Sequence, residues 1–241
     1  MKKNGIAPFI CVFLITGFIV SCGGGGGGGT TSSTTTPIGT AVNLGQVKSY
    51  EEASGAPGTT ATFNLAGASN QGVQFAATVS FTITGPTTTT TSAGTQTVNV
   101  GQQYLSITNK STGATVSGIS TLYVFLTGYL YKIEYDDGSV ATPTSQTLLP
   151  AFAKVGDFGT YTALSVSDGS NETSSWRIDA GTNGDAILVL SYTSTNSLNP
   201  SESFTEEDDF TIKPDGTVSA LTLKLNYPSL GVTVTLSGNR M

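Results

Sequence analysis

Hydrophobic and polar residues alternate with a period of two through much of residues 59–241. The clearest stretch is residues 73–84, whose apolar positions are Val73, Phe75, Ala77, Val79, Phe81 and Ile83. Successive side chains of a strand point to opposite faces, so this stretch predicts a strand with one apolar and one mostly hydroxyl-bearing face. Twelve residues at about 3.3 Å each make a strand near 40 Å long, which favours a tall curved sheet or barrel.

Further strand-like runs occupy most of the remaining chain, and Phe63 with Leu65 indicates one strand before residue 73. The runs are residues 95–108, 119–126, 129–135, 161–167, 173–179, 185–193, 204–213, 217–227 and 231–237. Glycine-containing turn sequences separate several of them: Thr127-Gly128, Asp136-Asp137-Gly138, Asp168-Gly169, Asn183-Gly184 and Pro214-Asp215-Gly216. Such residues tolerate the positive φ of tight hairpins. The pattern predicts an all-β domain, an antiparallel meander of about 10 strands forming a barrel, half-barrel or sandwich.

The first 21 residues have the layout of a secretory signal. Lys2 and Lys3 give a positive start, residues 6–20 form an apolar run, and Ser21 is a small residue before a break point. At 15 residues the run is shorter than the roughly 20 that cross a bilayer as a helix. We therefore expect residues 1–21 to be removed.

Residues 19–22, Ile-Val-Ser-Cys, resemble the bacterial lipobox. The resemblance implies that the Cys22 thiol takes a diacylglyceryl group, that the chain is cut before it, and that the freed amine is acylated too, for example with palmitate. Gly23 stands where the family's inner-membrane retention signal has aspartate, which implies sorting to the outer membrane. The lipid bilayer is thus an expected partner, bound through Cys22.

Residues 22–58 are rich in Gly, Thr, Ser, Pro and Ala and have few large apolar side chains. Such a segment buries too little surface to offset its ordering entropy, so a flexible tether is predicted, followed by a single domain at residues 59–241. One apolar cluster interrupts the tether, formed by Val42, Leu44, Val47 and Tyr50. As an alternative, this cluster docks on the domain as an edge segment.

Composition excludes several classes of function. The chain has no histidine, and of its 2 cysteines Cys11 lies in the signal and Cys22 is the lipid site, so His-based and thiol-based catalysis are not expected. Without Lys2 and Lys3 the 10 basic residues become 8 against 16 acidic ones, a net charge of −8. A basic nucleic-acid footprint is absent, and no cofactor is predicted.

Two alternatives to a water-exposed barrel remain at this point. An immunoglobulin-like sandwich also fits the strand count, although the Cys-Trp-Cys spacing of true immunoglobulin domains is missing. A transmembrane β-barrel also shows alternation, with the apolar face outward. The lipid anchor and the long tether would be superfluous for such a barrel, and the aromatic residues form no pair of girdles.

Candidate metal ligands lie in an acidic run and in a turn. In the run at residues 206–209, Glu206 and Asp208 share a face and are weak candidates for calcium, while a solvated strand end is the preferred interpretation. Residues 179–185 superficially resemble a calcium loop, but Gly181 and Leu190 replace two expected ligands. A hairpin turn explains that segment better, and no metal site is predicted.

Aromatic residues and a carboxylate pair are the other candidate site residues. A ligand wall would be formed by Tyr129, Tyr131, Tyr135 and Trp176, although core packing explains the same residues. Glu134 and Glu172 are conceivable partners in glycosidase-type acid–base chemistry, which needs two carboxyl groups across a cleft.

The favoured hypothesis is an envelope lipoprotein with a non-enzymatic β-domain that binds a protein partner, a glycan or an apolar ligand. A lipocalin-like carrier is its specific form if the interior is unfilled. The alternative is a surface adhesin or structural display protein, suggested by the threonine tracts at residues 30–36 and 87–91. A carboxylate-dependent hydrolase ranks third.

Overall fold

The computed structural model describes residues 41–241, so Cys22 and the signal sequence lie outside the described residues. Within this range the chain forms strands, one α-helix and two single-turn 3-10 helices, at Pro200–Glu202 and Pro228–Leu230. The strands and the helix are β1 (Ala41–Asn43), α1 (Gly45–Glu51), β2 (Thr60–Ser69), β3 (Gln74–Thr91), β4 (Gly94–Asn109), β5 (Thr115–Phe125), β6 (Leu130–Tyr135), β7 (Val140–Gln146), β8 (Phe152–Lys154), β9 (Phe158–Val166), β10 (Ser170–Ala180), β11 (Ala186–Asn196), β12 (Phe204–Ile212), β13 (Val218–Tyr227) and β14 (Val232–Asn239).

Twelve strands close into one antiparallel barrel. Strands β2 to β7 and β9 to β14 pair in chain order, and β14 pairs back onto β2. The remaining strands, β1 and β8, form a small separate sheet. The all-β meander predicted from the sequence is confirmed, and the closed barrel replaces the sandwich alternative.

The glycine turns are hairpins, as predicted. Gly138, Gly169 and Gly216 have φ values of 87°, 93° and 87°, in the region that favours glycine. At the β10–β11 turn both Asn183 and Gly184 have positive φ, and the Gly181 amide donates to the Asp185 carbonyl at 2.9 Å. Residues 179–185 are therefore a hairpin turn.

The two ends of the barrel differ. Antiparallel pairing places the turns at residues 92–93, 126–129, 181–185 and 213–217 at one end, together with α1, and we call this the helix end. The opposite end, which we call the mouth end, has the turns at residues 70–73, 110–114, 136–139 and 167–169.

Large apolar side chains fill one side of the barrel. The apolar face of β3 points inward, and Phe63, Phe81 and Phe210 pack edge to face or tilted with centroids 6.0 to 6.4 Å apart. Inward leucines and valines of β13 and β14 extend this core. Burial of these side chains on strands β2, β3 and β11 to β14 supplies the main stabilisation of the barrel.

Residues 41–58, the described part of the predicted tether, are ordered, and the tether prediction is wrong for these residues. These residues form β1, α1 and a loop that leads to β2. Val42, Leu44, Val47 and Tyr50 are buried, as the docking alternative anticipated, but they enter the core from the barrel end and do not add an edge strand. The composition of residues 41–58 did not indicate this, because four buried apolar side chains are enough to hold these residues against the barrel.

Specific contacts fix α1 in the helix end. The Tyr50 ring stacks on Phe81 with centroids 5.6 Å apart. The Gln46 side-chain oxygen accepts hydrogen bonds from the Val218 amide at 2.8 Å and from Arg240 at 3.1 Å. Within residues 41–241, α1 and the other helical turns are too short or too polar to span a bilayer.

Candidate functional site

The barrel encloses a cavity of about 260 Å³. Its walls come chiefly from β4, β5, β6, β9, β10, β11 and β12. Glu51 of α1 lies at its inner limit, and Asp136 and Asp168, both solvent-exposed, line it at the mouth end. The cavity therefore extends from α1 to the surface at the mouth end.

Small inward side chains leave this space open. Gly118 and Ser120 on β5, and Ser170 and Ser174 on β10, point into the cavity, whereas the equivalent inward positions of β3 are phenylalanine and valine. A barrel of about eight strands is narrow enough for side chains to fill, and twelve strands enclose a wider interior. Filling one side with aromatic and aliphatic residues thus leaves a cavity on the other.

Six carboxyl groups line the cavity, and none of the lysines and arginines in the described chain does. The six are Glu51, Asp136, Asp168, Glu172, Glu206 and Asp208. Apolar side chains form a further part of the wall, namely Leu122, Val124, Leu130, Leu164 and Val166. The interior is thus both acidic and partly apolar.

Glu51 is a buried carboxylate with one unsatisfied oxygen. The residue is 6% exposed, and Oε2 accepts hydrogen bonds from Tyr192 at 3.2 Å and Gln103 at 3.4 Å. Oε1 has no hydrogen-bond partner within the described residues. Burial raises the pKa of Glu51 to about 7, although both hydrogen bonds lower it, and the carboxylates of Glu206 and Glu52 raise it further.

The adjacent Glu52 differs from Glu51 because it is fully paired. Lys48 lies 2.6 Å from Glu52 Oε2, and the Leu149 amide donates to Glu52 Oε1 at 3.0 Å. Glu52 therefore ties the end of α1 to the β7–β8 loop, while Glu51, one position earlier, lines the cavity. Two consecutive acids thus have separate structural roles.

Glu206 and Asp208 line the cavity from the middle of β12, which corrects the solvated strand end preferred from the sequence. They share the inward phase of Phe204 and Phe210, and this alternation is the signal that identifies them. Burial is the largest cause that raises the pKa of both carboxyl groups. Repulsion from Glu172 adds to the rise for Glu206, which a hydrogen bond with Asp208 partly opposes, and repulsion from Glu206 adds to the rise for Asp208. The out-of-phase Glu207 points outward, where Arg177 Nη2 lies 3.1 Å away.

The predicted pair Glu134 and Glu172 is divided between the two faces of the barrel wall. Glu172 lines the cavity and accepts a hydrogen bond from Tyr135 at 3.0 Å. Burial raises the pKa of Glu172, and the Tyr135 bond partly opposes this rise. Glu134 instead pairs with Lys132 at 2.6 Å and with Tyr123 at 2.9 Å, outside the cavity. The two carboxyl groups cannot act on one substrate bond.

Of the four predicted wall aromatics, Tyr135 alone lines the cavity. Tyr129 is 47% exposed in a turn, and Trp176 packs against the main core. Tyr131 packs on Phe125 with centroids 5.4 Å apart and donates to the Thr90 carbonyl at 3.2 Å. The wall prediction is therefore wrong for these three residues.

Tyr161 and Tyr192 also line the cavity and complete its aromatic wall. Neither residue was predicted from the sequence. Tyr192 is the one aromatic residue of β11, and Tyr161 shares β9 with Phe158 alone, so no local concentration of aromatic residues marked them. In both cases burial is the largest cause that raises the pKa of the phenol, and the carboxylate of Glu51 adds to it. These tyrosines remain neutral hydroxyl groups at physiological pH.

Within residues 41–241, no three His, Cys, Asp or Glu side chains are arranged to hold a metal ion. Glu206 and Asp208, the weak calcium candidates, therefore have no third acidic ligand in the described structure. No protein-family model, curated protein or solved structure matches this chain.

Proposed function

We propose that this chain is a membrane-anchored, non-enzymatic binding protein that carries one small ligand inside its barrel. The cavity of about 260 Å³ is the observation that supports this function. An apolar cavity of about 150 Å³ can hold benzene, and ordinary ligand pockets begin near 300 Å³. The barrel is therefore suited to a ligand somewhat larger than benzene.

The position of the N-terminal segment supports anchoring through Cys22. Because β1 pairs with β8, Ala41 lies at the helix end, opposite the mouth of the cavity. A lipid on Cys22 would join the barrel to the bilayer from that end and leave the mouth accessible. Exposed apolar residues at the same end suit a surface that faces a membrane: Leu126, Tyr129, Phe152 and Phe158. Glycine after Cys22 favours the outer membrane as the location.

The arrangement of the carboxyl groups favours binding over hydrolysis. Glycosidase chemistry requires two carboxyl groups about 5 to 9 Å apart with the substrate bond between them. Glu206 and Asp208 are instead within hydrogen-bonding reach of each other on one strand. A scissile bond has no room between them, so the carrier function ranks above a hydrolase.

A surface adhesin is the second candidate, supported by the hairpin of β3 and β4. Pairing with β2 ends at Thr82 and pairing with β5 ends at Val98, so residues 85–97 form a two-stranded extension. Most side chains of the threonine tract at residues 87–91 are exposed there. An adhesive role would use this extension, whereas a carrier role uses the cavity.

A matched pair of substitutions tests the carrier function. Ser120 points into the cavity and its neighbour Thr121 lies outside it. We expect 1-aminonaphthalene, a two-ring probe that is neutral at pH 7 and whose emission shifts to shorter wavelength in apolar sites, to bind the wild-type protein. Ser120→Phe should weaken its binding at least tenfold by filling the cavity, while Thr121→Phe should change it less than twofold.

Near-ultraviolet circular dichroism checks that both variants fold. If Ser120→Phe does not fold, Gly118→Leu serves as a second substitution that fills the cavity. Equal probe binding by the inward and outward variants would overturn ligand carriage in the barrel. Failure of the wild-type protein to bind the probe would overturn it as well.

A further inference from the structure

We propose that the ligand of the barrel is a small organic cation, an amine with an apolar body. The inference rests on the proposed function, because it names the chemical class of the ligand that the cavity takes. The arrangement that supports it is an acidic cavity in which one buried carboxylate oxygen has no partner.

The basic residues of the barrel wall neutralise outward-facing acids. Glu207 and Asp209 lie on the outward face of β12. Arg177 pairs with Glu207, and Lys224 pairs with Asp209 at 2.7 Å. Lys132 similarly pairs with Glu134. None of these cations reaches the cavity, so its six carboxyl groups have no basic partner among residues 41–241.

The free oxygen of Glu51 identifies the position of the ligand's charge. A carboxylate accepts hydrogen bonds and cannot donate them, and an unpaired buried carboxylate is costly. Glu51 Oε1 lies at the inner limit of the cavity and lacks a donor within the described residues. An ammonium group supplies both the missing donor and the missing positive charge.

The rest of the cavity matches an apolar body. Leu122, Val124, Leu130, Leu164 and Val166 form a second buried cluster beside the same space. Tyr161 and Tyr192 add aromatic rings, whose faces attract cations. The acidic residues at the mouth would also raise the local concentration of a positively charged ligand.

An inorganic cation fits less well than an organic one. Calcium binds six to eight oxygen ligands at 2.3 to 2.6 Å, which requires acids that converge. The six carboxyl groups extend from Glu51 to the mouth end, and the described chain holds no group of three suited to a metal. A dispersed acidic surface and an apolar wall fit one extended organic molecule.

Isothermal titration of two probes of equal size tests the inference. Phenethylammonium and phenethyl alcohol have the same number of heavy atoms and differ in charge. At pH 8 we expect the ammonium probe to bind at least tenfold more tightly than the alcohol. Glu51→Gln should reduce ammonium affinity at least tenfold and alter alcohol affinity less than twofold.

Glu207→Gln is the matched control because it removes a carboxylate from the outside of the same barrel. It should leave ammonium affinity within twofold of the wild type. The affinity should also be higher at pH 8 than at pH 5.5, because Glu51 ionises in this range. The groups that face Glu51 are Glu52, Gln103, Tyr161, Tyr192, Glu206 and Asp208.

Several results would overturn the inference. Equal affinity for the two probes, or an equal loss in Glu51→Gln and Glu207→Gln, would show that charge in the cavity does not select the ligand. Calcium chloride that binds more tightly than phenethylammonium would assign the site to a metal. In each case, probe binding that Ser120→Phe abolishes would still support ligand carriage, so the two proposals fail separately.

Discussion

At the scale of single residues, the cavity contains ionisable groups that reduce the stability of the fold. Burial opposes ionisation of Glu51, Glu172, Glu206 and Asp208, and the pKa of each carboxyl group is raised. A core of aliphatic residues at these positions would have no such penalty. Perturbed acids in a cavity are typical of a binding site, where function offsets the loss of stability.

Glu51→Gln should therefore stabilise the protein at alkaline pH. With its pKa raised from 4.5 to about 7, the Glu51 carboxyl holds its proton more tightly in the folded state. The free energy of unfolding then falls as pH rises from about 4.5 to 7, by up to on the order of 3 kcal/mol. Urea unfolding of the variant should show a weaker pH dependence and greater stability than the wild type at pH 8.

At pH 4 the two proteins should unfold at similar urea concentrations, because Glu51 is neutral in both the folded and the unfolded state. Some pH dependence should persist, since Glu172, Glu206 and Asp208 also have raised pKa values. A variant as pH-dependent as the wild type would contradict the assignment of Glu51 as a buried titrating group.

Some of the acidic residues that line the cavity can be predicted from the sequence, and others cannot. The inward phase of Glu206 and Asp208 follows from the alternation around Phe204 and Phe210, so these two were predictable in principle. Glu51 was not, because it lies in a segment of tether-like composition. Its burial depends on Gln103 and Tyr192, which are distant along the chain.

At the scale of elements, period-two alternation and glycine turns predicted most of the barrel strands. Strand β7 was missed because Pro143 interrupts it and Ala141 is its one fully buried residue. Its pairing comes from β6 and β9, with a register shift beside Pro143. Helix α1 was missed because seven residues are too few to show a helical period.

A β-bulge explains why the aromatic wall was only partly predicted. Tyr131 and Tyr135 have the same parity, so strict alternation places them on one face. The register of β5 and β6 shifts where Tyr123 pairs with Lys132 and Val124 pairs with Leu130, which leaves Tyr131 as the extra residue. Tyr131 is therefore displaced from the cavity, and Tyr135 remains in it.

At the scale of the whole molecule, a twelve-stranded barrel is wider than its side chains can fill. Aromatic and aliphatic residues occupy one side, α1 covers one end, and the remaining cavity opens toward the other end. The proposed lipid anchor would join the bilayer at the helix end. With that anchor, the helix end would face the membrane and the mouth end would face the ligand.

Cys22→Ala should abolish membrane attachment without unfolding the barrel, because the proposed lipid would be attached through the Cys22 thiol and residue 22 precedes the described segment that packs on the barrel. Fractionation of cells that express the precursor should show the wild-type protein with the membranes and the variant in the soluble fraction. Circular dichroism of the variant should match that of the wild-type barrel. Recovery of the variant with the membranes at the wild-type level would contradict lipid anchoring.

A crystal structure of the protein with phenethylammonium tests the central claim most directly. Electron density for one ligand molecule is expected inside the barrel, with its nitrogen within hydrogen-bonding distance of Glu51 Oε1 and its ring against Leu122 and Leu164. An empty cavity in crystals that contain saturating phenethylammonium, or phenethylammonium bound only outside the barrel, would contradict the claim that this barrel binds an organic cation inside it.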